Sequence, residues 1–219
     1  MNLTEIILKN GLMILPIFIV LVLVILIVVE KFIVIKKSKV NVGSFTIKIR
    51  GLLKRKEINE AINYCTEERS AVANILKRGL RKYKFGRKRI VEAFETASKL
   101  EILKLEKNLS PLATLSKLAP LIGFLGTIVS LTFGYFKLQE AQAAIDLTNF
   151  NNEIIGAAAS SIMGIIVGII ALVSYNVLVS AIKKIVFEME MVATEVIDVL
   201  DDSVAYFADT DITDEEVEK

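Results

Sequence analysis

The sequence predicts an all-α integral membrane protein, with three membrane-crossing helices and long helical extensions on the cytoplasmic side. Two apolar spans, 118–136 and 154–179, carry glycines and hydroxyls but no charged residue, and a third, 11–29, is bulky and apolar throughout. Each is long enough to cross a hydrocarbon layer of about 30 Å, which takes about 20 helical residues. The chain is 53% hydrophobic with a mean hydropathy of +0.56, gathered in three blocks and not in the short periodic stretches of a soluble domain.

Taken in order, residues 1–10 form a short external arm. The span 11–29 has Pro16 near its outer end and reads as a retained lipid-facing anchor. Its apolar run is too long for a signal h-region, and Glu30-Lys31-Phe32 follows where a small-residue cleavage site would stand. Glu30 and Lys31 mark the inner interface, where a snorkelling pair is expected. Segment 31–117 holds 22 Lys/Arg against 8 Asp/Glu, whereas the link 137–153 holds only Lys137 among basic residues. Positive residues near span ends favour the cytoplasm. Lys31, Lys36, Lys37 and Lys39, then Lys107 and Lys117, then Lys183 and Lys184 all agree: amino terminus outside, carboxyl terminus inside, three crossings.

The cytoplasmic insert 30–117 reads as helical, with helices over 52–64 and 70–83 punctuated by Gly51, Gly79 and Gly86. From Ile90 one helix is expected to run to the membrane, with Ile102, Leu105, Leu109, Leu112 and Ser116 as a narrow packing stripe. Pro111 and Pro120 each predict a kink or a helix restart. Ser110-Pro111 fits an N-cap with proline at the first helical position, and a continuous, locally bent helix fits equally. Residues 137–153 form a short periplasmic link. Beyond the third span, 180–207 continues as an amphipathic helix whose apolar face carries Ile185, Val186, Met189, Val192, Val196, Val199, Leu200 and Val204. The last dozen residues, 208–219, read as a solvated, disordered acidic tail. Segment 183–219 holds 12 acidic against 3 basic residues and so offers a partner for the basic run 78–89. Anionic lipid headgroups are the other partner such a run attracts.

The chain has one cysteine, Cys65, and no histidine. The commonest general base and metal ligand is thus missing, and no nucleophile–base pair, phosphate loop or metal spacing is present. No enzymatic activity, metal or cofactor is expected.

Residues three and four apart share a helix face. Pro120, Gly123, Thr127, Ser130 and Gly134 therefore form one small or hydroxylated face, with Gly126 beside it. Ala157, Ser161, Gly164, Gly168 and Ala171 form another, including a Gly-x-x-x-Gly pair, and Ser160 lies on the adjacent face. Such stripes serve close helix packing, with hydroxyls bonded to their own backbone; a polar pathway is the alternative.

The stretch 105–128, with its Ala119-Pro120-x-x-Gly123-x-x-Gly126-Thr127 core, resembles the MotA/TolQ/ExbB proton-channel family. So do the small-rich Ala157–Gly164 and the closing Ser174-Tyr175-Asn176, and three spans match the TolQ/ExbB branch, not the four-span flagellar one. The resemblance implies an inner-membrane, ion-driven motor subunit. It would form a ring, a homopentamer, around a dimer of TolR/ExbD-like single-span partners. Spans two and three would line the lumen, with work delivered to the periplasm or outer membrane. Thr127 matches the family's lumen threonine, and Ser161 stands where the family usually has threonine. Ser160 and Ser130 are further hydroxyls of the pathway, and Tyr175 and Asn176 are polar groups at its inner end. Pro120, Gly123, Gly126, Gly134, Ala157, Gly164 and Gly168 pack the helices. The family's outer-end acid has no match, since Gly156 occupies its place; Glu153, one turn outward, is the candidate substitute. A proton relay needs a titratable group, so the partner is expected to supply an intramembrane Asp. A flagellar-type stator and a non-conducting scaffold are the rival readings.

Overall fold

The computed structural model describes the backbone of residues 11–140 and 147–217 and the side chains of 15–137, 139, 151 and 154–202. The described backbone is helical, with seven α-helices: α1 (Gly11–Ser38), α2 (Val42–Lys54), α3 (Ile58–Glu68), α4 (Ala71–Leu80), α5 (Arg87–Glu106), α6 (Leu109–Glu140) and α7 (Leu147–Val217). A 3₁₀ turn, Tyr83–Phe85, joins α4 to α5. The arm 1–10 and the centre of the link between the second and third spans, 141–146, lie outside the described residues. Three helices are long and apolar enough to cross a membrane. The chain divides into two units, one of α1 to Lys31 with Asn108–Val179, the other of Phe32–Lys107 with α7 from Ser180.

In the first unit, α1 buries Ile17, Val20 and Val24 along one stripe and exposes Phe18, Ile19, Leu26 and Val29. An apolar surface of this kind suits lipid and not water. At the carboxyl-terminal end of span 11–29 the expected snorkelling pair is not found: Lys31 is 1% exposed, whereas exposed Glu30 accepts hydrogen bonds at 3.0 and 3.1 Å from Asn108 Nδ2.

The single helix expected from Ile90 to the membrane is broken. Helix α5 ends at Glu106, and Asn108 adopts a φ of 64°, so Leu105 and Leu109 fall on different helices. Asparagine tolerates the left-handed region better than other non-glycine residues. Neither proline starts a helix. Pro111 lies in the first turn of α6, where backbone donors lack intrahelical partners anyway, and α6 runs on through Pro120. Pro120 leaves the Ser116 carbonyl without its ladder donor. Gly168 of α7 makes room there: a Cβ on it would lie 2.6 Å from Pro120 Cγ and 3.2 Å from Ser116 O. The backbones of α6 and α7 also come together at Gly123 and Gly164, where a Cβ on Gly164 would lie 2.7 Å from Gly123 Cα and from Ala119 O.

In the second unit, α2 packs on α3, α3 on α4 and α4 on α5. Asn41 Oδ1 caps α2 by accepting from Ser44 N, and Ser70 Oγ caps α4 by accepting from Ala73 N at 3.2 Å. The buried core includes Phe45, Ile49 and Leu53 of α2, Cys65 of α3, Ile75, Leu76 and Leu80 of α4, and Phe94 of α5. On α7, Ile185, Met189, Val192, Val196, Val199 and Leu200 are buried, as their spacing predicts, and Val186 is half-buried. The side chain of Val204 lies outside the described residues. Of the three glycines expected to end helices, only Gly86 does so, at φ 84°. Gly51 lies inside α2, and Gly79 lies in the last turn of α4 against the Phe94 ring. The breaks fall at Lys56 and Arg69, whose φ values are 61° and 51°. The backbone of α7 is helical to Val217, so 208–217, expected as a disordered tail, continues that helix. The basic run does meet the acidic part of α7, where Arg87 Nε donates to Asp201 Oδ2 at 2.6 Å. That pair is exposed and worth about 0–1 kcal/mol.

Gly164→Val should overpack the α6–α7 crossing and cost about 1–3 kcal/mol; a lowered melting temperature in detergent checks this. Cys65 is buried, and desolvation pushes its thiol up to about 12. A folded pKa above the unfolded one gives stability that is present below the ordinary thiol value and lost as pH rises towards 12. Maleimide at pH 8 should therefore leave native Cys65 unlabelled and modify it on denaturation, as intact-mass measurement would show.

Candidate functional site

The two small-residue stripes meet each other in the crossing of α6 and α7. Along this crossing the buried residues include Ala119, Gly123, Gly126, Ser130 and Gly134 of α6 and Gly156, Ala157, Ser160, Gly164, Val167, Gly168 and Ala171 of α7. Bulky neighbours such as Leu121, Phe124, Leu125, Ile162, Ile165 and Ile169 point away and are exposed. The helices interlock this way because only glycine, alanine and serine permit backbones to touch.

One cluster of polar atoms sits in this seam. Thr127 Oγ1 lies 3.2 Å from Gly123 O on its own helix and 3.1 Å from Ala157 O across the crossing. Ser160 Oγ donates to Ala157 O at 2.9 Å. A Cβ on Gly126 would meet Ser160 Oγ at 3.0 Å, so α6 closes over this hydroxyl. Thr127, Ala157 and Ser160 are thereby brought together.

The remaining hydroxyls are placed differently. Ser160 and Ser130 are buried, at 0% and 3% exposure, whereas Thr127 and Ser161 are half-buried. Of these four, Thr127 and Ser161 are the more open to a further molecule. Tyr175 is half-buried and Asn176 exposed. The side chain of Glu153 lies outside the described residues. Pro120 and Gly168 form the second contact of the crossing, already described. Among the described residues no cluster of three or more Cys, Asp and Glu side chains is placed to hold a metal ion.

Two features carry no signal in the sequence. The Ala157 carbonyl is the acceptor on which two side chains converge, and a backbone oxygen cannot be read from residue identity. Asn108, which meets Glu30, also escapes a hydropathy reading because it falls between two apolar stripes.

Electrostatically the seam is a wet-capable strip in an apolar wall. It offers hydroxyl donors and carbonyl acceptors, and spans 118–136 and 154–179 contribute no carboxylate or ammonium group. Such a surface can hydrogen-bond a polar group presented to it but cannot itself hold or release a proton near neutral pH.

Residues 67–191, more than half of the chain and including both spans of the seam, match the family model described as the MotA/TolQ/ExbB proton channel family. The chain therefore belongs to the MotA/TolQ/ExbB proton channel family.

Proposed function

We propose that this chain is the ring-forming subunit of an ion-driven motor of the TolQ/ExbB branch. It sits in the bacterial inner membrane with its amino terminus in the periplasm and its carboxyl terminus in the cytoplasm. Five copies surround a dimer of TolR/ExbD-like single-span partners and do work on the periplasm or outer membrane; the chain itself is not an enzyme. The observation that carries this reading is the half-buried Thr127 hydroxyl on a seam that holds no carboxylate. Three spans and the charge bias of 31–117 support the branch and the orientation.

A charge crossing the membrane gains about 2.3 kcal/mol per 100 mV, which is small beside the cost of an unpaired carboxylate in hydrocarbon. Hydroxyls along the path lower that cost by hydrogen-bonding the ionised acid. In this reading the partner supplies the Asp, and Thr127 and Ser161 are the stations beside it. Glu153 remains the candidate outer-end acid.

A non-conducting scaffold is the second reading, favoured by the fact that Thr127 and Ser160 already find acceptors within the chain. Proton flux separates the two. In proteoliposomes holding the purified complex, Thr127→Val should cut flux at least tenfold and leave assembly intact, and Ser161→Ala should have a weaker effect. Wild-type flux in Thr127→Val would favour the scaffold. Native mass measurement of the complex should give five copies of this chain with two of its partner; any other ring size corrects the stoichiometry.

A further inference from the structure

Three donors compete for one backbone oxygen in the α6–α7 seam. Ser160 Oγ and Thr127 Oγ1 lie 2.9 and 3.1 Å from Ala157 O, and the helical ladder brings the Ser161 N–H to the same atom. A carbonyl offers two lone pairs, so one donor is surplus. A hydroxyl carries a single proton, and Thr127 has a second acceptor within reach, Gly123 O at 3.2 Å. Ser160 has no such freedom: it is 0% exposed, with Gly126 packed against its hydroxyl. Thr127 is the donor that can leave.

We propose that Ser160 is a positioning residue that holds the Ala157 carbonyl so that Thr127 can turn its proton outward to the partner's carboxylate. The proposal rests on the reading of the chain as an ion-conducting subunit whose partner supplies the acid. When Thr127 turns, Ala157 O keeps Ser160 Oγ and the Ser161 N–H, and Gly123 O keeps the Thr127 N–H of the ladder. Both lone pairs of Ala157 O therefore stay bonded as Thr127 turns, whereas without the Ser160 hydroxyl the turn leaves one of them empty, a loss that opposes it. Without the Ser160 hydroxyl, Thr127 is held inward and the carboxylate loses a donor to its ionised form, so its pKa rises. The described spans present no charged side chain to that carboxylate. The charged and titratable groups nearest in sequence are Glu153 and Tyr175 on α7, Lys117, Tyr135 and Lys137 on α6, and Glu30 and Lys31 on α1, all at least seven residues from Thr127 or Ser160 along their own helix or on another.

The test uses the whole complex, purified by a tag on this chain and reconstituted with a pH-sensitive dye inside the vesicles. Ser160→Ala is expected to lower proton flux about five- to tenfold and to move the midpoint of the flux–pH profile upward, with the mass and melting temperature of the complex unchanged. Thr127→Val is the reference. A silent wild-type complex, or wild-type flux in Thr127→Val, overturns the conducting reading itself. Loss of flux in Thr127→Val beside wild-type flux and an unmoved midpoint in Ser160→Ala overturns only the role of Ser160. Should Ser160→Ala fail to assemble, Ser160→Cys carries the test: its weak S–H donor should give an intermediate flux and shift, and a wild-type profile there overturns the proposal.

Discussion

The touching of backbones at Gly123 and Gly164 is the contact from which the rest of the membrane unit follows. In hydrocarbon there is no hydrophobic gain in bringing two apolar helices together, so association rests on close packing and interhelical hydrogen bonds. A side chain at Gly164 would drive the axes apart, since its Cβ would lie 2.7 Å from Gly123 Cα. Only at this separation does Thr127 Oγ1 come within 3.1 Å of Ala157 O on the other helix. The Gly168 notch that receives Pro120, one turn along from Gly164, fixes the rotation of the two helices and lets α6 keep a proline without restarting. Packing and polarity are thus the same feature: the residues small enough to allow contact also leave carbonyls within reach of hydroxyls.

That seam is polar without being ionisable. An acid belonging to either span would be either buried and neutral or paired at some cost. A hydroxyl strip avoids both, because the Thr127 and Ser160 hydroxyls find acceptors inside the chain whether or not another molecule is present. On the proposed reading this matters for the membrane as much as for the motor. A subunit with no proton-holding group in its spans conducts nothing by itself, and the path is complete only once a second protein brings its carboxylate to the strip.

Much of this architecture is legible in the sequence, for physical reasons that also mark where reading stops. The three spans show because hydrocarbon enforces length and apolarity together, and the buried face of α7 shows because Ile185, Met189, Val192 and Val196 keep helical spacing. The 4,3 rhythm of glycine and serine likewise points to a crossing before any coordinates exist. Helix ends are harder. Lys56 and Arg69 take left-handed backbones that their side chains do not advertise, while Gly51 and Gly79, which look like stops, lie inside helices. Glycine at 79 is a packing residue against Phe94 and not a breaker. The break at Asn108 could have been suspected from residue type, but the regular stripe on both sides of it argues for continuity. At the site, spacing picks out Thr127 but sets Ser161 on the packing stripe and Ser160 beside it, whereas the structure buries Ser160 in the seam and leaves Ser161 half-buried.

The distinction between those two serines bears on how a threonine can serve two masters. A hydroxyl satisfied inside its own fold is a poor ligand, since offering its proton elsewhere leaves an acceptor bare in a medium with no water to replace it. A hydroxyl with no internal acceptor is a poor packing group for the same reason in the resting state. The α6–α7 seam escapes this conflict by redundancy. Ala157 O has more donors than lone pairs, and the most deeply buried of the side-chain donors, Ser160, is the one that cannot move. Stability then belongs to Ser160 and freedom to Thr127, which is the division a reversible hydrogen-bond station in lipid requires.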